Sequence, residues 1–151
     1  MDSIKKWIKP QDMFPAIFDL LEEGYKVEFT VTGESMWPLL HHGSDTVILC
    51  RCDKDSLRVG DIVLIRVTQE KYLLHRITAM SGKMVQTAGD GNCCRDGWIT
   101  TDSVLGRVTK VKRNGRELCV EKFGWRILAR IWMLLFPFRK WIFKLWDLLR
   151  K

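Results

Sequence analysis

The chain has 151 residues, 46% hydrophobic and 28% charged, with a formal net charge of +7 and five cysteines. That balance fits one globular domain with its own core and excludes disordered, collagen-like and low-complexity classes. Residues 122–151 carry eight basic residues and one acidic residue, so the whole charge excess lies in the tail. The neutral body argues against a nucleic-acid partner, which needs a basic face of its own. No two cysteines have C-x-x-C spacing and Cys93 and Cys94 are adjacent, a pattern that predicts free thiols in a reducing compartment and no metal site.

Taken from the start, the segment before Pro10 has lysines but no apolar run suited to a secretory leader. Residues 11–23 predict a short amphipathic helix, with Phe14, Ile17, Phe18 and Leu21 on one face. Asp12 is its expected N-cap, Pro15 falls in the first turn and Gly24 stops it. After Gly24 the apolar period drops to two. Lys26–Thr32, Thr46–Arg51, Asp61–Thr68, Tyr72–Met80, Lys83–Ala88, Val104–Arg113 and Arg116–Glu121 predict strands. Asn114-Gly115 is a two-residue hairpin signal and Ser81-Gly82 marks a second turn. The expected organisation is an N-terminal helical segment (1–24), an all-antiparallel β body (25–121) and a helical tail (122–151).

The tail predicts two helices, Trp125–Phe136 and Phe138–Lys151, interrupted at Pro137. In the second, Phe138, Trp141, Ile142, Leu145, Leu148 and Leu149 share one face, while Arg139, Lys140, Lys144, Asp147 and Lys151 share the other. No stretch reaches the ~18 apolar residues of a membrane span. Basic residues beside tryptophans instead favour an anchor lying in the headgroup layer of an anionic membrane over a pair of helices packed on the body. Its expected contacts are Trp125, Arg126, Arg130, Trp132, Arg139, Lys140, Trp141, Lys144 and Trp146. The reading implies a peripheral protein on the cytoplasmic side, whose β body keeps its activity when the tail is removed.

The chemistry is concentrated in Thr30–Cys50, where a strand runs into Gly33-Glu34-Ser35-Met36-Trp37-Pro38. A glycine permits a tight turn and a proline fixes its exit, so the Ser35 hydroxyl can project into a groove. Gly33, Met36 and Pro38 are the candidates for supporting that turn or lining the groove. A serine needs a base to become a nucleophile. Among the three histidines, His75 lies in a strand, whereas His41 and His42 fall in a loop expected to be solvated. A histidine base needs a group that orients its other ring nitrogen. The loop Thr87–Asp96 offers Asp90 and Asp96.

Together, GESMWP, Gly60–Val63 (GDIV), LHRI around His75 and TAGDGN followed by a later aspartate resemble the ordered motif set of type I signal peptidases, over roughly Val27–Val111. The serine motif is similar to the bacterial branch, but histidine stands where that branch has lysine, as in the endoplasmic-reticulum-type branch. The resemblance implies the antiparallel fold of signal peptidases and SOS-type repressors, with Ser35 as nucleophile, His75 as base and Asp96 as orienter. Asp90 becomes the secondary candidate, being the GD aspartate itself. It also implies hydrolysis of peptide or precursor-protein substrates, with small residues before the scissile bond and no cofactor. The chain departs from the pattern at Leu39, where a threonine is usual, at Ser44, inserted between Gly43 and Asp45, and in lacking the usual N-terminal span. Two alternatives remain: a self-cleaving regulator of the SOS-repressor type, which would use a lysine base and an upstream DNA-binding domain, and a non-catalytic binding module on the same fold.

Overall fold

The computed structural model describes residues 10–151, and the expectation about a leader before Pro10 lies outside them. The order of elements is α1 (Pro10–Glu22), β1 (Val27–Thr30), β2 (Thr46–Cys50), β3 (Ile62–Arg66), β4 (Tyr72–Ser81), β5 (Met84–Ala88), β6 (Trp98–Thr100), β7 (Val104–Arg113), β8 (Arg116–Cys119), α2 (Phe123–Leu134) and α3 (Arg139–Leu149). α1 already includes Pro10, so Asp12 lies inside it rather than capping it. The short strand β6 is too brief to leave a periodic signal. α2 begins two residues before the expected Trp125, and a 3₁₀ turn at Phe136–Phe138 carries Pro137 between the tail helices.

All pairings are antiparallel, in the order β1-β2-β7-β3-β4-β5-β6, with β8 on β7. The resulting sheet curls into a half-barrel with α1 and the C-terminal helices beside it. Asn114 and Gly115 both take the left-handed backbone region (φ 51° and 74°) that a tight β7–β8 hairpin requires.

The period of two in β3 explains the core. Ile62 and Leu64 point to one apolar cluster, with Ile17 and Leu21 of α1, Val47 and Leu49 of β2, and Val108 and Val111 of β7. Val63 and Ile65 point to a second, with Ile77, Val85 and Val104. The central strand is therefore buried on both faces, and its neighbours β4 and β7 are held rigidly. Phe14 stacks on Tyr72 with ring centroids 4.5 Å apart, tying α1 to β4. All five cysteines are free.

Candidate active site

The Ser35 turn is built on a closed excursion of the chain. Leaving β1, Val31 donates its N–H to the Asp45 carbonyl and accepts from the Gly43 N–H, both at 2.8 Å. Between these points Gly33 takes φ +81°, and its N–H donates to His42 Nδ1 at 2.8 Å. His42 is exposed, as its loop position predicts, but its ring supports the turn. Trp37 N–H donates to the Glu34 carbonyl at 3.0 Å, and Leu40 N–H to the Met36 carbonyl at 2.9 Å. Met36 and Leu40 drop into the first core cluster.

The base of this excursion is fixed by Asp45, which is fully buried. Arg113 reaches it from β7, with Nε and Nη2 donating at 2.9 and 2.5 Å, and also donates to the Leu39 carbonyl at 2.8 Å. The His41 N–H donates to the same carboxylate at 2.8 Å. Burial alone would raise the Asp45 pKa. The Arg113 hydrogen bonds, the His41 N–H and the charge of Arg113 outweigh it and hold the carboxyl below its ordinary 3.8.

His75 stands in β4 opposite Val63 and is buried. Its Nδ1 lies 2.6 Å from Asp96 Oδ2. An ionised carboxylate only accepts, so Nδ1 carries the proton and Nε2 is left as an acceptor. Asp96 is itself held from several sides. Thr87 Oγ1 donates to Oδ2 at 2.7 Å, the Asp96 N–H donates to the Thr87 carbonyl at 2.7 Å, and Gln86 Nε2 donates to the Asp96 carbonyl at 3.0 Å. The carboxylate that meets His75 is thus that of Asp96.

Asp90 has a different partner. Arg76, next to His75 in β4, donates through Nε and Nη2 to its two carboxylate oxygens at 2.8 and 2.7 Å, and through Nη1 to the Gly60 carbonyl at 2.8 Å. Both side chains are 1% exposed. Asp90 therefore shapes its loop through a buried fork with Arg76 rather than through the backbone bonds expected of a turn aspartate. The loop carries the Ser35 turn directly: Gly91 N–H donates to the Ser35 carbonyl at 2.8 Å. A Cβ on Gly91 would meet the Glu34 carbonyl oxygen at 2.6 Å, and one on Gly89 would collide with that of Ser35. These two glycines are what allow the loop and the serine turn to lie backbone against backbone. The structure brings together His75 with Asp96, and the Ser35 turn with Gly89–Gly91. Among the described residues it places no hydrogen bond between the Ser35 hydroxyl and the His75 ring.

The tail meets this same region. Trp132 of α2 donates its Nε1–H to the Asp90 carbonyl at 2.9 Å. Arg139 of α3 is 1% exposed, not on a basic face open to a membrane surface as expected from the helical period. Its Nη1 donates to the Gly89 and Asn92 carbonyls, each at 3.2 Å, and its Nη2 to the Trp132 carbonyl at 3.2 Å. The guanidinium also sits 4.6 Å from the Phe136 ring centroid and 5.1 Å from that of Trp132. Burial lowers the Arg139 pKa, the Asp90 carboxylate opposes that shift, and Arg76 adds to it. Phe143 and Trp146 of α3 pack on Trp37, with ring centroids 5.7 and 5.6 Å away. Trp125 is turned toward the first core cluster. The remaining expected membrane contacts, Arg126, Arg130, Lys140, Trp141 and Lys144, are exposed, with Leu145, Leu148 and Leu149 beside them. Among the described residues no helix is long and apolar enough to cross a membrane.

Sequence reasoning passed over Arg76 and Thr87, and it assigned Trp132 and Arg139 to a membrane rather than to the 89–92 loop they hold. Arg76 had a signal: an arginine in a strand between His75 and Ile77, in a run buried on both sides, needs a carboxylate partner. Compared with models of known protein families the chain matches none, and comparison with curated protein sequences gives no match either. The geometry links an imidazole whose Nδ1 meets a carboxylate to the serine turn through the loop: Arg76, next to His75, holds Asp90, and the Gly91 N–H holds the Ser35 carbonyl.

Proposed function

We propose that the chain is a serine endopeptidase of the signal-peptidase kind that cleaves peptide or precursor-protein substrates at a membrane surface. The observation that carries this reading is the 2.6 Å bond from His75 Nδ1 to Asp96, which leaves Nε2 to act as the base, with the GESMWP turn tied to the 89–92 loop by the Gly91 N–H on the Ser35 carbonyl. Ser35 Oγ attacks the substrate carbonyl while His75 Nε2 takes its proton, on a bond that tightens in the substrate complex. Backbone N–H groups of the Ser35 turn stabilise the oxyanion, each worth ~3–4 kcal/mol in other proteases. His75 returns the proton to the leaving amine, and water releases the acyl group by the same path in reverse. Asp96, fixed by Thr87, holds the ring and stabilises its protonated form.

The membrane part of the reading rests on the exposed run Trp141, Leu145, Leu148 and Leu149 beside Lys140 and Lys144. Such a face gains from burying apolar area in the headgroup layer and from attraction to anionic lipid.

The test is digestion of a complex peptide mixture, read by mass spectrometry for new termini. The wild-type chain creates them, with small residues preceding the cut, and Ser35→Ala creates none. New termini that persist with Ser35→Ala defeat the assignment.

A further inference from the structure

We infer that the tail is a positioning device for the nucleophile: Trp132 and Arg139 clamp the 89–92 loop while Phe143 and Trp146 clamp Trp37, so that the seating of α2 and α3 sets the alignment of Ser35. This rests on the reading of Ser35 as the nucleophile.

The Ser35 turn has two supports outside itself. One is the loop, through the Gly91 N–H on the Ser35 carbonyl and the close passage of Gly89 and Gly91 under the turn. The other is the Trp37 ring, two residues beyond the serine. The tail holds both. The carbonyls of Gly89, Asp90 and Asn92 each accept a donor from Trp132 or Arg139. The second support is an aromatic cluster in which Trp37 meets two rings of α3, with Phe143 also 6.0 Å from Trp132. The tail therefore touches both supports of the serine turn: α2 and α3 together hold the loop, and α3 holds Trp37.

The nature of the clamp points beyond packing. A buried arginine is costly unless paired, and among the described residues Arg139 meets no carboxylate; its donors go to three backbone carbonyls, and its Nε has no partner there. An apolar side chain at 139 would fill a core with less desolvation. What a guanidinium supplies there is a rigid fork that ties two loop carbonyls, through Nη1, to the Trp132 carbonyl of α2, through Nη2. A near-attack geometry is sensitive on this scale, since a shift of about 1 Å in a reacting group costs about a hundredfold in rate. Neither Trp132 nor Arg139 touches substrate in this scheme; both act through the loop.

The experiment uses the full-length chain with Trp132→Phe, which removes one N–H and keeps a ring, and Arg139→Lys, which keeps the charge and loses the fork. A fluorophosphonate reports Ser35 through its limiting labelling rate and its half-saturating concentration, and hydrogen exchange reports the Gly91 amide. Both variants are expected to fold and to show the limiting rate lowered by roughly ten- to a hundredfold. The half-saturating concentration stays unchanged and Gly91 exchanges faster. Wild-type labelling rates in both folded variants, or a fall no greater than the fall in folded fraction, overturn the clamp while leaving the peptidase reading in place. Absence of labelling at Ser35 in the wild type defeats the peptidase reading, and faster Gly91 exchange in the variants then still supports the clamp, whereas unchanged exchange overturns it.

Discussion

Exchanging each aspartate for asparagine separates two roles that the sequence leaves side by side. Asp90 and Arg76 form a fully buried ion pair, each 1% exposed, joined by two hydrogen bonds. Asp90→Asn leaves the guanidinium buried against a neutral amide, a change that costs about 3–5 kcal/mol when a buried pair is broken. For a chain of this size, an unfolding entropy of ~2.1 cal/mol/K per residue makes 1 kcal/mol worth about 3 °C, so the melting midpoint should fall by about 9–15 °C. Asp96 is 28% exposed and its partners are an imidazole ring and a hydroxyl. Its exchange should lower the midpoint less, by about 5–9 °C, the loss of one charged hydrogen bond at about 1.5–3 kcal/mol. Activity should respond in the opposite order. Asp96→Asn removes the charge that stabilises the His75 imidazolium, and in another serine protease the equivalent change costs ~10⁴ in rate. Here Thr87 donates to the same Oδ2 that His75 meets, so an asparagine oxygen placed there keeps both bonds and can preserve the tautomer, and a loss of about 10²–10⁴ is expected. The assay pairs a thermal melt with fluorophosphonate labelling of Ser35 well below both midpoints. An Asp90→Asn protein that melts with the wild type refutes the energetic reasoning. An Asp96→Asn protein that labels at the wild-type rate refutes the catalytic one.

Gly91→Ala places a Cβ against the Glu34 carbonyl oxygen. It should destabilise by about 1–3 kcal/mol and slow labelling as the Ser35 turn is pushed off the loop, checked by denaturant titration beside the labelling rate. The Asp45–Arg113 pair sets a pH dependence. Because the folded-state pKa of Asp45 lies below its ordinary 3.8, its contribution is present above that value and is lost as pH falls through the folded pKa. Arg113→Met should therefore unfold more easily than wild type at pH 7, with the gap narrowing at pH 3; a gap that widens in acid contradicts the pairing. Trp141→Ser with Leu145→Ser should weaken sedimentation with anionic vesicles while leaving the melt unchanged, because both side chains are more than half exposed. Equal sedimentation of this double variant excludes that face as the lipid contact.

What could be read from the sequence divides by range. The strands Tyr72–Ser81 and Val104–Arg113 and the hairpin at Asn114-Gly115 follow from local alternation and turn chemistry, and lie within a residue of where expected. Helical periodicity also placed the tail helices, but it sorts residues only by face. It assigned Arg139 to the polar, membrane-contacting face because nothing nearby in sequence reveals the Gly89 and Asn92 carbonyls, 50 and 47 residues away, that receive it. The same limit hid the Trp132 bond to Asp90. The consequence is physical: a tail expected to be dispensable for activity grips both supports of the serine turn, so removing residues 125–151 should abolish labelling of Ser35 as well as vesicle binding. For Asp90 and Asp96 both loop positions were visible, but only the pairing of Arg76 with one and His75 with the other tells their roles apart.

The central claim is that Ser35 is a nucleophile activated by His75. The most direct measurement is peptide mapping of the full-length protein after reaction with a fluorophosphonate. One phosphonyl adduct is expected, on Ser35, absent from Ser35→Ala and formed at least a hundredfold more slowly in folded His75→Ala, within the 10²–10⁴ that general-base catalysis typically contributes. An adduct on another residue, or one that forms on Ser35 equally fast without His75, contradicts the account.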